Sequence, residues 1–258
     1  IVVQYWNWIS GVFSGDLGKS YASQIDVSEI ILERLPITLE LTTLSMIGVV
    51  VVAVPMALLA TYRHGSRIDR VIGVITSLGI SVPLFVVSLV FILVFTSTLG
   101  WLPSRGYVPF SESPRENLKL MILPVSSIIF VASPLLVRHM RESMIEAESE
   151  DFVRTAVGQG AGRFRVLTRH VMRTSLVPTF TMLGLLVGYA LAGSVVIEFV
   201  FGLPGIGSLA LEAALKRDYA VLQSVVVLIV MMFVFTTFVV DVINGLIDPR
   251  LRVGESNG

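Results

Sequence analysis

Residues 222–247 read LQSVVVLIVMMFVFTTFVVDVINGLI, with Asp241 the single charged side chain. A hydrocarbon core about 30 Å thick needs roughly 20 apolar residues in helical form. This stretch meets that length, and so do four others, at about 37–62, 71–99, 118–137 and 175–201. Across all 258 residues, 54% are hydrophobic and only 15% charged, with a mean hydropathy of +0.82. A soluble domain keeps more charge on its surface, so the excess apolar area must face lipid. The expected fold is therefore all-α, a polytopic transmembrane helical bundle with five spans.

Net charge is zero and gives no electrostatic basis for binding nucleic acid. Cysteine is absent, which excludes disulfides, thiolate nucleophiles and Cys-ligated metals. The second stretch is long enough to tilt or to carry an interfacial end. Pro55, Pro83, Pro124 and Pro134 fall inside three of the spans and are expected to kink them, as membrane helices tolerate.

Lysine and arginine placement orients the chain. Arg63, Arg67, Arg70, the seven arginines of 138–174, Arg250 and Arg252 fall on one side, twelve in all; the other side has seven. The richer side is expected to be cytoplasmic. Residues 1–36 then form an external segment, 37–252 the transmembrane domain with a cytoplasmic loop at 138–174, and 253–258 a cytoplasmic tail. An odd number of spans with an external start is unusual. The residues from Ile1 onward show no signal-peptide pattern, and a further apolar stretch of about 20 residues is expected upstream of Ile1.

The 138–174 loop is arginine-rich, yet Met140, Met144, Ile145, Phe152, Val153, Ala156, Val157, Phe164, Val166, Leu167 and Val171 recur through it. That spacing predicts short amphipathic helices lying on the membrane or against a partner. Gly158, Gly160 and Gly162 should break them between about 151–157 and 163–173. The residues alone leave two uses open, a docking element or an ordinary basic interfacial loop.

Phe152-Val153-Arg154-Thr155-Ala156, then Gly160, Val166, His170, Arg173 and Pro178, resembles the EAA loop of ABC-importer permeases. It is closest to the dipeptide, oligopeptide and nickel branch. Arg154 stands where many members have Glu, and Met172-Arg173 where many have Leu-Pro. Further similarity lies in Gly15–Ser20, in Arg34-Leu35-Pro36-Ile37-Thr38 and in Val195-Val196-Ile197-Glu198 with Phe201. It continues through Pro204-Gly205-Ile206-Gly207, Arg217-Asp218-Tyr219, Gln223, Asp241 and Asp248–Arg252; Ala220 replaces a common proline.

The resemblance implies a transport subunit of a prokaryotic cell membrane, with its C-terminus cytoplasmic. It implies a second homologous permease, two ATPase subunits or domains, and an extracytoplasmic substrate-binding protein as partners. ATP and Mg would sit on the ATPase chains. By the same resemblance, Phe152, Arg154, Thr155, Ala156, Gly160, Phe164, Arg165 and His170 couple to the ATPase. Glu198, Pro204, Gly205, Gly207, Arg217, Asp218 and Tyr219 form the outer mouth or face the binding protein. The cargo implied is a peptide, with nickel or glutathione-like solutes as alternatives.

Charges avoid mid-depth. Glu198 lies roughly 35 Å along its span and Asp241 roughly 29 Å along its own, at 1.5 Å per residue, so each is near a surface. Each is either an interfacial group or part of a gate, with Asp241 at the inner interface. Without a mid-depth charge there is no evident proton or sodium path, which disfavours a self-contained secondary carrier or channel. No G-x-x-x-x-G-K-[ST] loop is present to bind ATP, and no H-E-x-x-H or mid-span aspartate pair points to an intramembrane enzyme. His64, His139 and His170 lack metal-ligand spacing.

Gly184, Gly188 and Ala192 recur every four residues, allowing close helix approach and a face that can slide. Tyr189, Ser194, Ser77, Ser81, Ser88 and Thr96 are polar groups available to a pathway. Tyr5, Trp6, Trp8 and Phe13 suggest an interfacial anchor.

Overall fold

Val82 precedes Pro83, and that pair shapes the second apolar stretch. Proline lacks an N–H and pushes the preceding residue toward an extended conformation; Val82 has φ −91° and ψ 124°. In a computed structural model describing Trp6, residues 9–12 and residues 14–247, the stretch is accordingly not one rod. It is α2 (Arg67–Ser81) and α3 (Leu84–Phe91), the latter continuing π-helically over Ile92–Thr98, with a bend of 100° between them. The expectation of a single tilted span at 71–99 is corrected in this respect. The other prolines do not break their helices, because Pro55 lies within α1 (Val27–Tyr62) and Pro124 and Pro134 within α4 (Pro114–Glu148).

Among the described residues four helices are long and apolar enough to cross a membrane: α1, α4, α8 (Leu176–Phe201) and α10 (Tyr219–Ile247). The bent pair supplies a fifth crossing if it is counted as one. Among the described residues there is no strand. Helix α1 starts ten residues before the apolar stretch at 37–62, and α4 runs on to Glu148, well into the segment expected to be loop. Both extensions mix charged and apolar residues and continue a helix already nucleated by the apolar run.

Between α4 and α8 lie α5 (Asp151–Gly158), α6 (Arg163–Val166), a π-helical Leu167–Val171 and α7 (Met172–Thr174). The break therefore falls where the glycines predict it. Gly160 has φ +83°, its N–H donates to Val157 O at 2.9 Å, and the Ala161 N–H donates to Ala156 O at 3.1 Å. That is the Schellman ending, whose left-handed position favours glycine.

The 202–221 stretch, which joins two of the apolar spans, contains α9 (Ile206–Lys216). Its Ile206, Leu209 and Ala213 pack with Val27 and Ile31 of α1 and with Val221 and Val225 of α10. A continuous apolar face of three turns was concealed by the flanking Pro204, Gly205 and Gly207.

The fold divides into two compact units. One comprises Ile1–Thr43, Ser88–Val125 and Ala190–Val234; the other comprises Leu44–Val87, Ser126–Tyr189 and Phe235–Gly258. Within the second, Gly79 of α2 meets Pro134 of α4, and Gly184 of α8 meets Val240 of α10 so closely that an added Cβ would sit 3.0 Å from a valine methyl. The Asn244 amide also donates to Thr181 Oγ1 at 2.9 Å.

Candidate functional site

In the first unit, α9 starts against a carboxylate. Glu198, on the last turn of α8, is fully buried. The Thr38 hydroxyl donates to Glu198 Oε1 at 2.7 Å, and the Ser208 N–H donates to Glu198 Oε2 at 2.8 Å. Thr38 Oγ1 in turn accepts from the Ile206 N–H at 2.8 Å. The first N–H groups of a helix have no intrahelical acceptor, and its N-terminus favours an anion. Glu198 and Thr38 supply both needs. Glycine is required beside them: a Cβ on Gly205 would lie 2.5 Å from the Glu198 carboxylate, and one on Gly207 would lie 2.6 Å from Val195 backbone.

The far end of α9 is held by a second carboxylate. Arg217 is left-handed at φ 56°, and the Asp218 N–H returns to Ala213 O at 2.8 Å. Asp218 is buried, and its oxygens accept from the Ser20 hydroxyl at 2.5 Å and from the Tyr21 and Ala22 N–H groups at 3.2 Å each. Burial alone would push this carboxyl up, but those hydrogen bonds outweigh it and hold Asp218 below the usual carboxylate range. Nearby, the Tyr107 hydroxyl donates to Glu40 Oε2 at 2.8 Å. Burial first, and then the Glu40 carboxylate, push the Tyr107 phenol up to about 12. Tyr107 also lines a cavity of about 360 Å³ with Glu33, Arg34, Ile37 and Pro204.

In the second unit, α5 carries an apolar face of unequal fate. Val153 and Ala156 at its centre are buried, whereas Phe152 and Val157 on its flanks are 40% and 57% exposed. Arg154 and Thr155 lie on the opposite, solvated face, and Phe164 is 61% exposed. Arg163 Nη2 lies 3.9 Å from Glu148 Oε1 at the end of α4. Asp69 of α2 receives a two-pronged hydrogen bond from Arg141 of α4, Nε to Oδ1 and Nη2 to Oδ2, both 2.8 Å. The same carboxylate accepts from the Gly65 N–H at 2.9 Å.

Residues 53–253 match the family described as the binding-protein-dependent transport system inner membrane component. The chain belongs to that family. It is a transmembrane permease subunit of an importer and not an enzyme. A Brucella abortus (strain 2308) protein named provisionally as a peptide transport system permease is 38% identical over 97% of this chain and 80% of its own. The oligopeptide transport system permease protein AppB of Bacillus subtilis (strain 168) is 32% identical over 97% of this chain and 80% of its own. Among solved structures, an inward-facing form of the MetNI methionine ABC transporter matches 85% of this chain and 96% of that one. Its TM-score is 0.71 at 15% identity, a likeness of fold.

The permease's expected site residues separate into distinct environments. Around α9, Glu198, Gly205, Gly207 and Asp218 are interior, Pro204 is half-buried, and Arg217 and Tyr219 are exposed. Phe152, Arg154, Thr155, Gly160, Phe164 and Arg165 are exposed, Ala156 is buried, and His170 is half-buried. A Cβ on Gly160 would meet nothing within 4 Å, so its backbone conformation accounts for the glycine within this chain. Of the four-residue stripe, Gly184 is buried, Gly188 half-buried and Ala192 exposed; Tyr189 and Asp241 are exposed as well. Trp6 is exposed; Tyr5, Trp8, Phe13 and Asp248–Arg252 lie outside the described residues.

Two groups were missed: the Asp69–Arg141 pair and Tyr107. Asp69 carried a signal, because a lone acid among the arginines 63, 67 and 70 implies a partner cation. Among the described residues no group of three His, Cys, Asp or Glu is placed to hold a metal ion.

Proposed function

We propose that this permease imports peptides, moving them by alternating access when separate ATPase chains bind and hydrolyse ATP with Mg. The observation that carries this is the apolar surface of the 151–164 segment. Phe152, Val157 and Phe164 project from short helices in an arginine-rich segment and offer an apolar surface that a partner chain would bury. Each exposed aromatic of this kind is worth about 1.5–3 kcal/mol on full burial, enough for a docking anchor. An ATPase is the occupant that the family relationship supports. Two ATPase chains, a second permease and an extracytoplasmic binding protein complete the assembly.

Charge asymmetry supports a cytoplasmic location for 63–70, 138–174 and the C-terminus in a prokaryotic cell membrane. The opposite surface, with Arg217 and Tyr219 exposed at the end of α9, is then open to the binding protein. Glu198 and Asp218 support that surface from within by fixing α9. Peptide cargo rests on the names of the relatives. A glutathione transport system permease protein from Salmonella choleraesuis (strain SC-B67), 35% identical over 97% of this chain and 79% of its own, favours glutathione-like solutes as a second reading.

The test is uptake by proteoliposomes holding the assembled complex. Labelled oligopeptide should accumulate only with ATP and the binding protein present. Accumulation without any ATPase chain would sink the importer reading, and uptake of glutathione alone would move the cargo to the second reading.

A further inference from the structure

Tyr62 is the last residue of α1, and three groups converge on its ring. The Arg63 guanidinium lies 5.6 Å from the ring centroid and that of Arg163 lies 5.7 Å from it. The Phe164 ring meets it edge-on, with centroids 6.2 Å apart and planes at 82°. Arg163 and Phe164 open α6, immediately after the glycine turn that ends the α5 segment. Arg163 also reaches Glu148, the final residue of α4, so the segment 149–162 is drawn together at its base. That base rests on Tyr62.

The preceding stem is joined to the same short connection between α1 and α2. Arg141 of α4 clasps Asp69 with two hydrogen bonds, and Asp69 also holds the Gly65 N–H. One turn further along α4, buried Met144 touches the Thr61 hydroxyl at 3.9 Å. Residues 61–69 thus contact the α4 stem that leads into the α5 segment through Asp69, and the start of α6 that follows it through Tyr62. The two contacts differ in kind. The Asp69 pair is directional and short, whereas the Tyr62 contacts are face and edge contacts that tolerate sliding and rotation.

We propose that Tyr62 is a positioning residue for transport, the seat through which displacement of the α5 segment reaches α1. The assignment rests on the importer reading above, since a seat matters only if α5 is moved by a partner. Side-chain hydroxyl chemistry is not involved; the ring is what Arg163 and Phe164 touch. Its loss should therefore loosen the connection between nucleotide-driven movement and the spans, leaving the interior of the bundle intact.

The experiment measures peptide uptake and ATP hydrolysis in the same proteoliposomes, with the full complex assembled. Tyr62→Ala should lower peptide transported per ATP hydrolysed by about tenfold, a coupling change of ordinary size. Tyr62→Phe, which keeps the ring, should restore the wild-type ratio. A purely structural role would reduce uptake and hydrolysis together and leave the ratio unmoved. An unchanged ratio in Tyr62→Ala, or a Tyr62→Phe ratio as low as that of Tyr62→Ala, overturns the assignment. If Tyr62→Ala does not assemble, Arg163→Gln decides, because Arg163 is exposed and its loss removes one ring contact. Its ratio should also fall, and a wild-type ratio there overturns the seat. A wild-type complex that transports without ATP would instead refute the importer reading, so the two failures are distinguishable.

Discussion

Around Glu198 and Asp218 the polar groups point inward and are paired, whereas along α5 and α6 the apolar Phe152, Val157 and Phe164 stay 40%, 57% and 61% exposed. Each region carries three glycines, Gly158, Gly160 and Gly162 in one and Gly202, Gly205 and Gly207 in the other, so glycine content does not separate them. What differs is whether their helices find acceptors and apolar partners within the chain. Helix α9 finds both, in Thr38, Glu198 and Asp218 and in the α1 and α10 side chains it packs against. Helix α5 buries only the middle of its apolar face. Phe152, Val157 and Phe164 are left exposed, and on the proposed reading a partner chain covers them.

If this contrast is correct, substitutions in the first region should cost stability and those in the second should not. The largest effect is expected for Glu198→Ala. It strips the buried Thr38 hydroxyl and the Ser208 N–H of their acceptor, a loss of about 3 kcal/mol or more. Thermal unfolding of the purified permease, followed by tryptophan fluorescence, should show it; an unshifted midpoint would remove Glu198 from the anchor.

Glycine substitutions sharpen the contrast at smaller cost. Gly207→Ala forces a methyl against Val195 backbone and the Glu198 carboxylate, and should destabilise by about 1–3 kcal/mol. Gly162→Ala has φ −66° and open space around its Cβ, so its effect should stay within about 0.5 kcal/mol. Equal melting shifts for the two would erase the distinction.

The smallest effect depends on pH. Asp218 has a folded-state pKa below its ordinary value of about 3.9. Its stabilisation is therefore complete above that ordinary value and is lost as pH falls through the lowered one. Melting curves recorded below about pH 4 should show an acid-dependent loss that Asp218→Asn flattens. An identical acid profile in the variant would mean that the Ser20, Tyr21 and Ala22 contacts do not favour the charged form.

Much of the fold was legible because apolar length is a strong signal: the helices around 37–62, 118–137, 175–201 and 222–247 all appear. The break within 151–173 was also legible, since Gly160 supplies a left-handed helix ending that few other residues accept. The bend at Val82-Pro83 was less so, because Pro55, Pro124 and Pro134 occur in equally apolar settings without breaking their helices. Neighbouring contacts decide that outcome, and a local string does not carry them. The same holds for α9, whose apolar face makes sense only beside Val27, Ile31 and Val225. The anchoring role of Glu198 was hidden too. Depth along α8 located it near a surface, but pairing with Thr38, 160 positions away, is a long-range fact. Tyr62 was silent for a similar reason, since its partners Arg163 and Phe164 lie about a hundred residues on.

The most direct test of the account compares assembly with stability in one variant. Phe152→Ser combined with Val157→Ser changes only the exposed flanks of α5, leaving Val153, Ala156 and the Gly160 turn in place. The double variant should melt within about 1 kcal/mol of wild type, as surface substitutions do, yet fail to retain the ATPase chains when the complex is purified through the permease. Retention of the ATPase at wild-type stoichiometry, with uptake intact, would contradict the claim that this bare apolar surface is the docking site.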